Sequence, residues 1–190
     1  MPKELIGLSC VCVGMGEGGT ISMLGRVSLV DRLGNTLYDT FVKPSSKIES
    51  YRETTTGLGS SYFGTHDAVP FDTAQRDVAA WIRDKIVVGH RLWLNFQVLG
   101  ISHPTVDTRD LGLYLPFRTA LSTPNEVIGL PTLMWHLMKR KIREGFVDSL
   151  EDARATIDLY RSESKAWEGY NKAGQWPCAL PPVAYNRYYT

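Results

Sequence analysis

The stretch Leu5-Ile-Gly-Leu-Ser-Cys-Val-Cys-Val13 decides the fold. It is apolar or small at every position, the pattern of a strand covered on both faces. Cys10 and Cys12 alternate against Ser9 and Val11 and suit packed core positions. A catalytic thiol needs a basic neighbour, and the sequence offers neither of them one. Gly14-Met-Gly-Glu-Gly-Gly19 then turns the chain, and residues 23–30 read as a second strand. Asp31-Arg-Leu-Gly-Asn35 is hairpin chemistry, and residues 36–42 form a third strand closed by Lys43-Pro44. The opening is a three-stranded meander.

Residues 14–19 also satisfy Gly-x-Gly-x-x-Gly. A dinucleotide site needs a helix directly afterwards, so that its N-terminus meets the pyrophosphate. Here residues 21–30 read as a strand, so the glycines serve a tight connection between strands.

Downstream, residues 45–70 form a long polar stretch suited to a functional loop or short helical turns. Asp72 and Gln75 suggest a capping box opening a helix to about Asp84, with Val78, Trp81 and Ile82 inward. Short strands are expected at 86–88 and 105–108, and helices at 92–99 and 130–143. Pro131 suits a first turn, and Leu133, Met134, Leu137 and Met138 share one face of the 130–143 helix. A last helix starts near Asp148 and Ser149, with Leu150, Ala153, Ile157, Tyr160 and Trp167 at helical spacing. A meander followed by alternating helices and strands implies an α/β sheet with helices packed on it. Residues 1–174 are read as one domain, and 175–190 as an aromatic, proline-rich tail packed on it or used for docking.

Composition narrows the partners. The 190 residues carry 43% hydrophobic and 22% charged side chains with a net charge of +1, ordinary for a globular domain and far from strongly basic. Lys139-Arg-Lys-Ile-Arg143 is the main basic cluster, and it also reads as a helix C-terminus. Three cysteines without a Cys-x-x-Cys pair argue against a disulfide framework or a zinc site, and point to a reducing compartment. His66, His103 and His136 show no metal-like spacing. Met1-Pro-Lys-Glu4 shows no secretory signal, and no apolar run reaches a membrane-span length of about 20 residues.

Several segments, in this order, carry a family likeness. They include Leu8-Ser-Cys-Val-Cys-Val-Gly14, Ser22-Met-Leu-Gly-Arg-Val-Ser28, Tyr38-Asp-Thr-Phe-Val-Lys-Pro44 and Tyr51-Arg52 with Thr56-Gly57. Val88-Gly-His90, His103-Pro104, Asp107-Thr108, Pro116-Phe117 and Leu150-Glu-Asp-Ala153 with Leu159-Tyr160 continue the series. The chain resembles the RNA exonuclease 4 and interferon-stimulated branch of the DEDDh 3′–5′ exonucleases. The resemblance implies an RNase H-like α/β fold around a five-stranded mixed sheet with flanking helices. It also implies two Mg²⁺ or Mn²⁺ ions held by four carboxylates, with a histidine as general base.

On that pattern the Asp-x-Glu positions fall at Ser9 and Val11, the second-motif Asp at Asn95 and the base at Val147. Only Asp152 keeps the family's residue, and the first turn of a helix that Ser149 could cap offers it a plain structural role. The expectation is a degenerate site with no catalytic residue, no metal and no cofactor: a pseudoenzyme acting as a nucleic-acid-binding module or protein-interaction scaffold in an RNA-related complex. Arg26, His90, Arg91 and Trp93 are the candidate nucleic-acid contacts, although Trp93 also suits a core and His90 a structural position. The alternative is an active exonuclease with a displaced site built from Glu17, Asp107, Asp110 and Asp152. The cysteines and the lack of a membrane-length apolar run imply an intracellular setting with no membrane. The near-neutral charge and aromatic tail favour a protein partner, and the resemblance implies a nuclear location.

Overall fold

The computed structural model describes residues 3–64 and 67–190; Met1, Pro2 and His66, each read in the sequence, lie outside the described residues. Strands β1 (Leu5–Met15), β2 (Ile21–Val30) and β3 (Thr36–Phe41) form the antiparallel meander. Its second turn closes on Asp31, whose Oδ1 accepts from the amides of Leu33 at 2.7 Å and Asn35 at 2.9 Å. Gly34 follows at φ 85°, a conformation glycine adopts without steric cost. Strands β4 (Ile86–Gly89) and β5 (Thr108–Asp110) extend the sheet in parallel on the other side of β1. The order is β3-β2-β1-β4-β5, the five-stranded mixed sheet expected. A strand, not a helix, follows the glycine loop.

Both faces of the sheet are covered. Helices α2 (Phe71–Ile82) and α3 (Leu92–Leu99) pack Ala74, Val78, Ile82, Leu92 and Phe96 against Ile6, Leu8, Val27, Leu29 and Val87. On the opposite face, α5 (Leu130–Met138) and α6 (Ser149–Lys172) bring Leu133, Met134, Ile157 and Trp167 to Val30 and Val88. Each such aliphatic or aromatic side chain contributes about 1.5–3 kcal/mol on full burial. Helix α6 crosses the sheet at Gly7, where a Cβ would lie 2.9 Å from the Ala153 carbonyl oxygen. Two short helices, α1 (Glu53–Thr56) and α4 (Leu115–Ala120), complete the set; α1 and a 3-10 turn at Ser60–Tyr62 organise the polar stretch.

Four local expectations need correction. Pro70 precedes α2 without a side-chain cap, and Gln75 instead donates to the Leu99 carbonyl at 2.8 Å, so no Asp72–Gln75 box forms. Helix α5 stops at Met138 because Lys139 turns left-handed (φ 54°), which leaves residues 139–143 outside it and Leu137 exposed. Residues 105–107 form a 3-10 turn, and the strand begins only at Thr108. Helix α6 is capped by Asp148, which accepts from the Glu151 amide at 2.9 Å; the Ser149 hydroxyl bonds Ser28 Oγ instead.

The tail lies along the domain. Leu115 donates to the Pro177 carbonyl and Ala179 to that of Leu113, while His103 donates to Tyr188, Thr105 to Thr190 and Thr190 to His103. Cys178 is buried, whereas Leu180 and Val183 are exposed.

Candidate nucleic-acid cleft

A cavity of about 380 Å³ opens where β1, α3 and α6 meet the polar stretch. Ser9, Val11, Asn95, Val147 and Asp152, distant in sequence, all line it. Alternation along β1 places Ser9 on the same face as Gly7, toward α6. A bulge at Val11 and Cys12 bends the strand there. Asn95 is buried and donates back to the Arg91 carbonyl at 3.2 Å. The backbone amide of Val147 is fixed by the Thr55 carbonyl at 2.8 Å.

Asp152 is the cavity's one carboxylate, its side chain 4% exposed. Arg143 holds it with a two-pronged fork: Nε to Oδ1 at 2.9 Å and Nη2 to Oδ2 at 2.7 Å. Burial pushes the Asp152 carboxyl up, and the guanidinium pulls it down. Two further arginines line the cavity. Arg52 donates to Ser22 Oγ and the Gly19 carbonyl but makes no ion pair among the described residues. The side chain of Arg91 is exposed, and its backbone amide is fixed by Asp110. Three arginines against one carboxylate leave an excess of two positive charges on the lining.

Asp110 sets the entry to α3. Buried at the end of β5, it accepts from the amides of Arg91 at 2.9 Å, Leu92 at 2.6 Å and Gly112 at 2.9 Å. It therefore caps a helix whose own N-cap, Arg91, has no side-chain cap. Burial moves its carboxyl up to about 7. His90 is depressed to about 4, chiefly by burial, and its Nε2 lies 2.7 Å from the Ile128 carbonyl, so the ring is neutral at pH 7 and Nε2 carries the proton. The thiols beside the cavity are also neutral: burial raises Cys12 to about 11 and Cys10 well above its usual range.

The proposed nucleic-acid contacts separate. His90 and Arg91 line the cavity. Arg26 does not: all three of its donor nitrogens are taken, two by Asp39 and one by Asp148. Trp93 is 4% exposed inside the core, so it offers no ring face for stacking. Arg52 and Arg143 were not singled out; one stood in a quoted likeness segment and the other in a basic run. The displaced site does not assemble either. Asp107 pairs with Lys3, Asp110 caps α3, Asp152 holds Arg143, and Glu17 is exposed on the glycine connection.

Two divalent cations do not fit this donor set. Ser9 and Asn95 offer neutral oxygens, Val11 and Val147 offer none, and the Asp152 carboxylate is already engaged. No group of three or more His, Cys, Asp or Glu suited to a metal occurs among the described residues.

A sheet of this order, covered on both faces and opening beside its first strand, is the RNase H-like fold of exonucleases. The Neurospora crassa Pan2 catalytic unit (protease and nuclease domain) superposes with a TM-score of 0.74 at 21% identity, over 92% of this chain and 29% of that one. The Saccharomyces cerevisiae Pan2 pseudoubiquitin hydrolase-RNA exonuclease module in complex with AAGGAA RNA also gives 0.74, at 20% identity, over 91% of this chain and 33% of that one. In sequence, the Homo sapiens apoptosis-enhancing nuclease is 34% identical over 94% of this chain and 55% of its own length. RNA exonuclease 4 of Saccharomyces cerevisiae is 36% identical over 87% of this chain and 56% of its own length. The chain thus spans about half the length of these curated relatives. No family model matches.

These likenesses support an exonuclease family for the chain. They overturn the expectation that it is not an enzyme: relatives at 31–36% identity over most of the chain are named nucleases and point to an exonuclease. No helix of the described residues is long and apolar enough to cross a membrane.

Proposed function

We propose that this chain is an exonuclease-class domain whose cavity receives the 3′ end of a single-stranded RNA. One observation carries the reading. Five family positions scattered from residue 9 to residue 152 line a single cavity, and three arginines line it with them. Guanidinium groups supply the charge that phosphates need. The relatives named as RNA exonucleases, and the fold neighbour solved with RNA, support RNA as the ligand. The near-neutral charge supports a protein partner and the family resemblance a nuclear setting; pull-down with and without RNase separates direct contact from an RNA bridge.

Fluorescence anisotropy with a 5′-labelled single strand tests the reading. A linear strand is expected to compete well, and a circular strand of the same sequence at least tenfold less well. Equal competition by the circle, which has no end, would overturn end recognition. Equal competition by a blunt duplex would overturn the preference for single strands.

A further inference from the structure

The residues that exclude a metal pair suggest what replaces it. We infer that Arg52, Arg91 and Arg143 form a phosphate site in the cavity that binds the nucleic-acid backbone without divalent cations. The inference rests on the reading that this cavity takes an RNA end, and deepens it by naming how the phosphate is held.

Three independent features of the molecule converge on it. The first is charge: the metal pair would have to sit on a lining that carries an excess of positive charge. Metal ions there would be repelled, and a phosphate attracted. The second is donor supply. Arg143 spends Nε and Nη2 on Asp152, and its Nη1 makes no bond to a described residue. Asp152 thus orients that guanidinium, and so acts as a positioning residue. Arg52 is aimed by the neutral oxygens of Ser22 and Gly19, with no carboxylate to cancel its charge.

The third feature is the backbone. Arg52 has φ 54°, Arg91 φ 52° and Arg143 φ 57°. A left-handed conformation is uncommon for a residue with a Cβ and costs free energy at each site. Six non-glycine residues adopt it among the described residues, and three of the six are the cavity arginines. Each is held there by the fold around it. Asp110 fixes the Arg91 amide, Ser50 Oγ the Arg52 amide at 3.2 Å, and Glu151 Oε2 the Arg143 amide at 2.8 Å. Stored strain at residues that line one cavity is the mark of a preorganised ligand site.

The experiment uses the full chain, a 5′-labelled heptamer RNA and inorganic phosphate as competitor. In EDTA, affinity is expected to stay within about twofold of its value in Mg²⁺. Inorganic phosphate should displace the RNA more strongly than chloride at equal ionic strength. Arg52→Ala and Arg143→Ala should each weaken binding about tenfold to a hundredfold, the range for losing a charge-assisted hydrogen bond. Each should also lower the slope of log affinity against log salt by about 0.7. Arg91→Ala is exposed and safe for folding, and its slope should fall by a similar amount. Binding that vanishes in EDTA and returns with Mg²⁺ would overturn the arginine site and leave the RNA reading standing. An unchanged salt slope in Arg91→Ala and Arg52→Ala would overturn it as well. RNA that fails to bind under any condition, while phosphate alone still perturbs the arginine resonances, would sink the RNA reading and keep the site.

Discussion

Removing the Arg143 side chain is expected to destabilise the domain in a pH-dependent way. In Arg143→Ala the Asp152 carboxylate, 4% exposed, loses both hydrogen bonds of its fork. Breaking a buried ion pair from one side costs about 3–5 kcal/mol. Arg143 is itself 30% exposed, so its charge is partly screened, and Asp152 can escape by protonation. Both effects reduce the expected loss to about 2–3 kcal/mol near pH 8. In a chain of this size that lowers Tm by about 4–12 °C. Burial already holds the Asp152 carboxyl above its ordinary value against the pull of the guanidinium. Without that pull the folded-state pKa rises further. The folded protein then keeps a proton that the unfolded chain releases, so stability falls as pH climbs from about 3.9 through the raised value. Urea unfolding at pH 5 and pH 8 should therefore show the smaller loss at pH 5. The double variant R143A/D152N, which removes the stranded charge, should recover about half of the loss at pH 8. An equal loss at both pH values, or an Asp152→Asn change that adds to the loss, would refute the account.

Three other outcomes are expected. His90, held near pKa 4 by burial, should contribute no change in RNA affinity between pH 8 and about pH 5.5; a steep gain through pH 6.5 that His90→Gln abolishes would show that the ring titrates. Deleting residues 175–190 breaks six backbone hydrogen bonds to the rest of the domain, each about 0.5–1.5 kcal/mol, and should lower Tm by at least about 10 °C; a deletion that melts like the full chain would show that the tail contacts carry no stability. Ser9→Asp with Val11→Glu places two new carboxylates beside Asp152, so the melt should fall in EDTA and regain about 2–3 kcal/mol with saturating Mn²⁺; no Mn²⁺-dependent shift would mean the cavity cannot be converted to a metal site.

The meander was legible because its signals are local. Small and apolar residues run through 5–13, and an Asp-to-Asn turn follows residue 30. Helix α3 was placed at 92–99, but its faces were not: Leu92, Trp93, Asn95, Phe96 and Leu99 turn inward, while Leu94 and Gln97 are exposed. That burial removed Trp93 from the cleft. The end of α5 was missed because nothing in Lys139-Arg-Lys announces a left-handed residue. Gln75 was read as a local cap but is used across the fold. The positions that form the cavity were legible through the family pattern. The arginines were not: Arg52 and Arg143 carry no spacing signal, and only the folded chain brings them to one cavity. The missing carboxylates were legible too, but the expectation built on them, that the chain is not an enzyme, is overturned by its nuclease-named relatives.

Asp110 has one more neighbour, the Tyr189 hydroxyl at 3.4 Å, so the same carboxylate touches both the C-terminal segment and the amide of Arg91. Tyr189 is not part of the cavity wall. A screen that mutates only wall residues would therefore skip a position able to tilt Arg91, and a Tyr189→Phe protein with altered ligand affinity would be mistaken for evidence of a second contact surface.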